Sequence, residues 1–169
     1  MGDSRSFVIV GAGQAARWLV LTLRAEGFRG RIVLFGDELH APYERPPLSK
    51  AALRGEVTMA QLELLPEAKL SETQVEWHAG TSITAIDRER RVVRASTGAE
   101  TGYDKLFLAN GGRARTLPGL APYARVATLR TFEDALKLKN LMAASQEVLV
   151  LGGGWIGLEV AASDRKSVV

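Results

Sequence analysis

Two glycine clusters hold the residues best suited to chemistry. "FVIVGAGQAA" (7–16) places Gly11, Gly13 and Ala16 in a G-x-G-x-x-G/A spacing directly after an apolar run. "VLVLGGGWIG" (148–157) repeats the pattern with Gly152, Gly154 and Gly157. That spacing, between a strand and a helix, suits phosphate binding. Gly11 permits a tight turn, and Gly13 lets a pyrophosphate approach the backbone without meeting a Cβ. Ala16 is small enough for the helix to lie close to the strand. The helix start offers free N–H groups and the positive end of its dipole. Asp37 stands at the end of the next apolar run and can accept hydrogen bonds from both ribose hydroxyls. Its charge would repel a 2′-phosphate, which disfavours NADP at this first site. The competing reading is plain: a tight turn, and a solvated acid at a strand end.

The surrounding elements are those such a turn requires. Phe7–Val10 reads as a buried strand, Gln14–Glu26 as a helix stopped by Gly27, and Arg31–Phe35 as a second strand. This is the first unit of a parallel, doubly wound sheet. "HAPYERPPLSKAALRGE" (40–56) is an extended loop set by Pro42, Pro46 and Pro47, with Ser49 as cap of a short helix through Leu53. Leu62–Leu70 is irregular or helical, and 75–80 is a short strand. "SITAIDRERRVVRAS" (82–96) predicts two strands around a polar turn at Asp87–Arg90, within a small antiparallel meander. Leu106–Ala109 returns to the parallel sheet, and "RARTLPGLAPY" (113–123) is a proline- and glycine-rich connector. Thr131 caps a helix to Ala144, with Asp134 completing a variant capping box. Val148–Leu151 is expected as the strand before the second turn.

Composition narrows the function. The chain has 169 residues, 46% hydrophobic and 24% charged, with a net charge of +3. Its arginines are scattered, which points away from nucleic acid and toward a solvated surface. With no cysteine, structural disulfides, thiolate metal sites and a redox dithiol are excluded. His40 and His78 lack ligand-like spacing, so no metal is expected. No run has signal-peptide or transmembrane character, so a soluble, cytoplasmic protein with no membrane partner is the expectation.

One β–α–β unit does not choose between FAD and NAD. An antiparallel insertion followed by a second strand and glycine turn suggests two nucleotide sites in series. At this point the sequence resembles the FAD-dependent ferredoxin reductases of Rieske-type dioxygenase and cytochrome P450 systems, within the pyridine nucleotide-disulfide oxidoreductase superfamily. The resemblance rests on "PYERPPLSK" (42–50), "YDKLFLANGGRARTLPG" (103–119), "LRTFEDA" (129–135) and "LGGGWIGLEVAA" (151–162). It implies an α/β fold: a Rossmann-like FAD-binding domain with a parallel sheet plus an antiparallel β-meander, followed by the truncated start of a second Rossmann-like, NAD-binding domain. The division is expected at 1–113 and 114–169.

The same resemblance implies the site. Gly11, Gly13, Ala15 and Ala16 would hold the FAD pyrophosphate, Asp37 the adenosine ribose, and the backbone at Ile83 the adenine. Arg45 and Lys50 fall in the loop that approaches the flavin, although spacing alone reads that loop as a solvated proline-rich connector. Ala109–Asn110–Gly111 passes the flavin, where relatives usually have Ala-Thr-Gly, and Arg130 matches an FAD-contacting arginine. Gly152, Gly154, Trp155, Ile156 and Gly157 match the NADH turn. Trp155 on its own also fits a bulky residue packed at a helix start. Lys50 and Glu159 are implied as a pair at the catalytic centre. The implied activity is hydride transfer from NADH to FAD, then single electrons to a 2Fe–2S ferredoxin in aromatic hydrocarbon catabolism. A flavin monooxygenase, an NADH oxidase and an inactive nucleotide-binding fragment remain alternatives. Only twelve residues follow Gly157, ending in "SDRKSVV", so a truncated second site with negligible turnover and weak FAD retention is expected.

Overall fold

A computed structural model describes residues 3–119 and 123–164. Met1 and Gly2, part of the 113–123 connector and the tail from 165 lie outside the described residues. The chain divides into two compact units, residues 1–43 with 63–111, and residues 44–62 with 112–169.

The first unit is built on β1 (Ser6–Val10), β2 (Arg31–Phe35), β3 (Val75–His78) and β7 (Lys105–Leu108), a parallel sheet in the order β3-β2-β1-β7. Its register runs Phe7 to Ile32 and Lys105, and Ile32 to Val75. Past their first residues, the central strands β1 and β2 are apolar on both faces, as the covered centre of a parallel sheet demands. On one face Phe7, Ile9, Ile32 and Leu34 pack against α1 (Gln14–Ala25) and Leu70 of α4 (Glu67–Glu72). Helix α1 presents Ala16, Leu19, Val20 and Leu23, the i, i+3, i+4, i+7 stripe expected of a half-buried helix. On the other face Val8, Val33 and Phe35 meet Val93 and Ile83 of the antiparallel meander β4 (Ile83–Asp87), β5 (Val92–Ala95) and β6 (Glu100–Gly102). Ile9, Ile32 and Leu34 are fully buried, each contributing roughly 1.5–3 kcal/mol of transfer free energy.

Arg24 pins the far end of α1. Its guanidinium donates to the carbonyls of Thr73 (2.7 Å), Phe28 and Gly30 (both 2.9 Å) and Gln74 (3.1 Å). One side chain thus satisfies four backbone acceptors at the α1–β2 and α4–β3 junctions.

The second unit contains a 3₁₀ turn (Pro46–Ser49), α2 (Ala51–Arg54), α3 (Met59–Leu62), α5 (Phe132–Ala143) and α6 (Trp155–Asp164). The Thr131 cap is as expected: its hydroxyl accepts from Asp134 N (3.1 Å), and Asp134 Oδ2 accepts from Thr131 N (2.9 Å). Two expectations are corrected. Ser49 does not cap α2. Residues 46–49 are already wound as a 3₁₀ turn, so Ser49 ends that turn and Lys50 takes the cap position. Val148–Leu151 forms no strand, because the described residues offer it no partner to pair with. An apolar run becomes a strand only when its N–H and C=O groups find a ladder. Leu149 accordingly stands 83% exposed.

Candidate nucleotide-binding turns

At the carboxyl end of the parallel sheet, β1 runs into Gly11, whose φ is +103°. Gly11 N donates to Phe35 O (2.8 Å) at the end of β2, and Ala109 N donates to Val10 O (2.7 Å) beyond β7. A Cβ on Gly11 would fall on the Ala109 carbonyl and 2.6 Å from Asn110 Cα. Conformation and space therefore both demand glycine. The carboxyl end of a parallel sheet, beside the first β–α turn, is where ligands enter such folds.

Gly13 differs in kind. Its φ and ψ are −103° and −166°, which any residue adopts, and a Cβ there would meet nothing within 4 Å. The fold itself does not require glycine at this position. A ligand seated on the backbone would. Gly13 is the N-cap of α1 with no side-chain cap bond, and the first turn of α1 carries no acid. The helix therefore presents its dipole end and uncapped N–H groups to the same space. Ala16 is fully buried against the sheet, while Ala15 faces out. These features fit a pyrophosphate.

The loop after β2 brings further expected residues to this end. Asp37 is exposed one residue past Gly36. Thr81 N donates to Gly36 O (2.7 Å) and Gly80 N to Glu38 O (2.9 Å), which leads the chain from that loop into Ile83 at the head of β4. Ala109, Asn110 and Gly111 follow β7 past Gly11, with Gly111 at φ +61°. Gly36 is a contributor that sequence reasoning missed. A Cβ on it would lie 2.6 Å from the Trp77 ring and 2.7 Å from Ala12 Cβ, so a side chain there would push the Asp37 loop off the first turn. Tyr43, 2% exposed, donates its hydroxyl to Glu38 Oε2 (2.5 Å) and braces the same loop.

The second unit gathers the other expected residues. Arg45 donates to Arg130 O (2.8 Å), and Arg130 Nε donates to Gly112 O (3.0 Å). Lys50 Nζ lies 2.8 Å from Glu159 Oε1. Ser49 donates its hydroxyl to Glu159 Oε2 (2.5 Å), and Ser163 donates to Ser49 O (2.7 Å). The Lys50 ammonium, and after it the Ser49 hydroxyl, hold the Glu159 carboxyl below the usual carboxylate range.

The second glycine cluster repeats the first. Gly152 has φ +107°, and a Cβ on Gly154 would meet nothing within 4 Å. On Gly157 it would lie 2.7 Å from Gly152 O and 3.1 Å from Val150 Cγ1. One glycine turns the chain, one leaves space, and one lets α6 pack close. Trp155 and Ile156 open α6 at 84% and 51% exposure. An open groove of about 1620 Å³ within this unit is lined by residues 125–129, α5 and 148–157, largely aliphatic. Among the described residues no acidic or histidine cluster could hold a metal, and no helix is long and apolar enough to cross a membrane.

The model of the pyridine nucleotide-disulphide oxidoreductase family matches residues 5–168. The chain is 40% identical over 171 residues to putidaredoxin reductase CamA of Pseudomonas putida, covering 99% of this chain and 40% of the relative. It is 42% identical over 160 residues to rubredoxin-NAD(+) reductase of the same organism, covering 94% and 41%. Among solved structures, the ferredoxin reductase for the CYP199A2 system of Rhodopseudomonas palustris superposes with a TM-score of 0.91 at 37% identity, over 96% of this chain and 40% of that one. The chain thus spans about 40% of the length of the relatives it matches.

Proposed function

Because the chain belongs to the pyridine nucleotide-disulphide oxidoreductase family, oxidoreductases that use FAD and NAD(H), we propose that it carries the FAD-binding segment (1–113) and the connector and start of the NAD-binding domain (114–169) of an NADH-dependent ferredoxin reductase. What supports this most is the pair of matching turns. Gly11 and Gly152 are held at positive φ, while Gly13 and Gly154 face open space that no protein atom fills. Relatives named for putidaredoxin and for rubredoxin and NAD(+) support a small redox protein as acceptor.

In this reading bound FAD would supply the switch from two-electron to one-electron chemistry between NADH and a 2Fe–2S ferredoxin of a dioxygenase or cytochrome P450 system. The chain's residues bind and orient. The Gly11–Gly13 turn and the start of α1 hold the pyrophosphate, with Ala15 and Ala16 leaving room. Asp37 accepts from the ribose hydroxyls, and the backbone at Ile83 meets the adenine. In the first unit Ala109–Asn110–Gly111, and in the second Arg45, Lys50 and Arg130, are the residues that the family resemblance assigns to the flavin half. Gly152, Gly154, Trp155, Ile156 and Gly157 receive NADH. Lys50 and Glu159, paired at 2.8 Å, would set the charge at the catalytic centre. These 169 residues contain no cysteine, and in this reading electrons leave the flavin for an external acceptor.

Competition binding tests the assignment of the first turn. FAD bound to the purified chain should be displaced by ADP, which shares the half that the turn holds. Displacement by riboflavin and not by ADP would contradict it.

A further inference from the structure

We propose that Ser49 is the positioning residue of the Lys50–Glu159 pair, holding the Glu159 carboxylate in the orientation that faces Lys50. This rests on the flavin-site reading of that pair for its functional meaning.

Two polar residues are buried among the described residues, Ser49 (4% exposed) and Thr73 (9%). Thr73 spends its hydroxyl locally, on the carbonyls of Lys69 and Leu70 in its own helix. Ser49 makes a weak local bond to Pro46 O at 3.4 Å and directs its short one, 2.5 Å, to Glu159 in α6. The two oxygens of Glu159 are divided between adjacent residues, Oε2 to Ser49 and Oε1 to Lys50. Ser163, one turn further along α6, donates to the carbonyl of Ser49. The dipeptide Ser49–Lys50 and one face of α6 are therefore joined at three points, two of which belong to Ser49.

The partners differ in how well they orient a carboxylate. The Lys50 side chain is 48% exposed, and an exposed ammonium on a four-carbon stem is a mobile point charge that attracts without direction. The Ser49 hydroxyl is short, buried and tied to a 3₁₀ turn that Pro46 and Pro47 stiffen. A charge-assisted O–H···O⁻ bond from such a donor is directional. With Ser49 holding Oε2, Oε1 is presented to Lys50. Without it, the carboxylate rotates freely about its last torsion, which has a broad profile.

The test uses the chain without any nucleotide, so its failure is distinct from failure of the flavin-site reading. The Glu159 carboxyl is followed by carbon NMR in glutamate-labelled protein, assigned by its loss in Glu159→Gln, and titrated in parent, Ser49→Ala, Ser49→Cys, Ser49→Thr and Lys50→Met chains. Melting temperature is recorded beside each. The Ala and Cys variants should move the Glu159 midpoint upward, toward the ordinary carboxylate range, while Thr, which keeps the hydroxyl, retains the parent value. Cys, close to Ser in size, serves if Ala does not fold. An unchanged midpoint in Ala and Cys beside an upward move in Lys50→Met would overturn the proposal. So would an equal upward move in Thr, which would trace the effect to packing alone.

Discussion

Gly11→Ala and Gly13→Ala, two substitutions in one motif, should have opposite consequences. At Gly11 the backbone sits at φ +103°, where a Cβ costs about 1–2 kcal/mol. The same Cβ overlaps the Ala109 carbonyl and approaches Asn110 Cα to 2.6 Å. Both obstacles are backbone, so relief requires the end of β7 to move, and forced displacement in a packed region costs about 1–3 kcal/mol more. Against the 5–15 kcal/mol typical of a domain, a loss of about 2–5 kcal/mol is large. At Gly13 the backbone is extended and the space is empty. Alanine is a poorer N-cap than glycine but reduces unfolded-state entropy, so stability should change by no more than about 1 kcal/mol. Urea unfolding followed by Trp fluorescence reads both. With a slope of about 2 kcal/mol/M, Gly11→Ala should lower the midpoint by about 1–2.5 M, and Gly13→Ala should leave it near the parent value. Equal midpoints for the two variants would refute the division of labour assigned to these glycines.

Three other outcomes are expected. Asp37→Ala should weaken FAD binding by about 1.5–3 kcal/mol through loss of a charged hydrogen-bond partner, read by fluorescence titration. Equal affinity would remove Asp37 from the ribose site. Thr131→Ala should cost about 1 kcal/mol by breaking the capping box of α5, measured as a fall in melting temperature that Thr131→Ser restores. Glu159 is held low in the folded chain by Lys50 and Ser49. Its contribution is therefore present above the unfolded carboxylate value of about 4.3 and is lost as pH falls through the folded value. Lys50→Met should flatten the acid limb of the stability profile and leave the neutral range parallel to the parent.

The first unit was largely legible because local rules decide it. An apolar run, a glycine turn, a run of helix formers stopped by Gly27 and a second apolar run require no distant partner to be read. The capping box at Thr131 and Asp134 was legible for the same reason. Ser49 was misread because Ser before Ala-Ala-Leu-Arg looks like an N-cap, and only the winding of Pro46–Ser49 into a 3₁₀ turn shows that the cap has moved to Lys50. Val148–Leu151 has the composition of a strand, but composition does not supply a neighbour. Nothing beside Gly36 signals its role, since Trp77 approaches it from 41 positions away. The meeting of Lys50 with Glu159 joins residues far apart in sequence, and no periodicity encodes it. The family resemblance alone brought that pair forward.

The claim that two nucleotide turns stand in series is tested most directly by titrating FAD and NADH separately into a protein that extends this chain to the full length of its relatives, and into its Gly13→Val and Gly154→Val variants. Each substitution places a branched side chain in space that no protein atom occupies. Gly13→Val should abolish FAD binding and leave NADH binding as in the parent, and Gly154→Val should do the reverse. FAD affinity unchanged in Gly13→Val, or lost equally in both variants, would contradict the account.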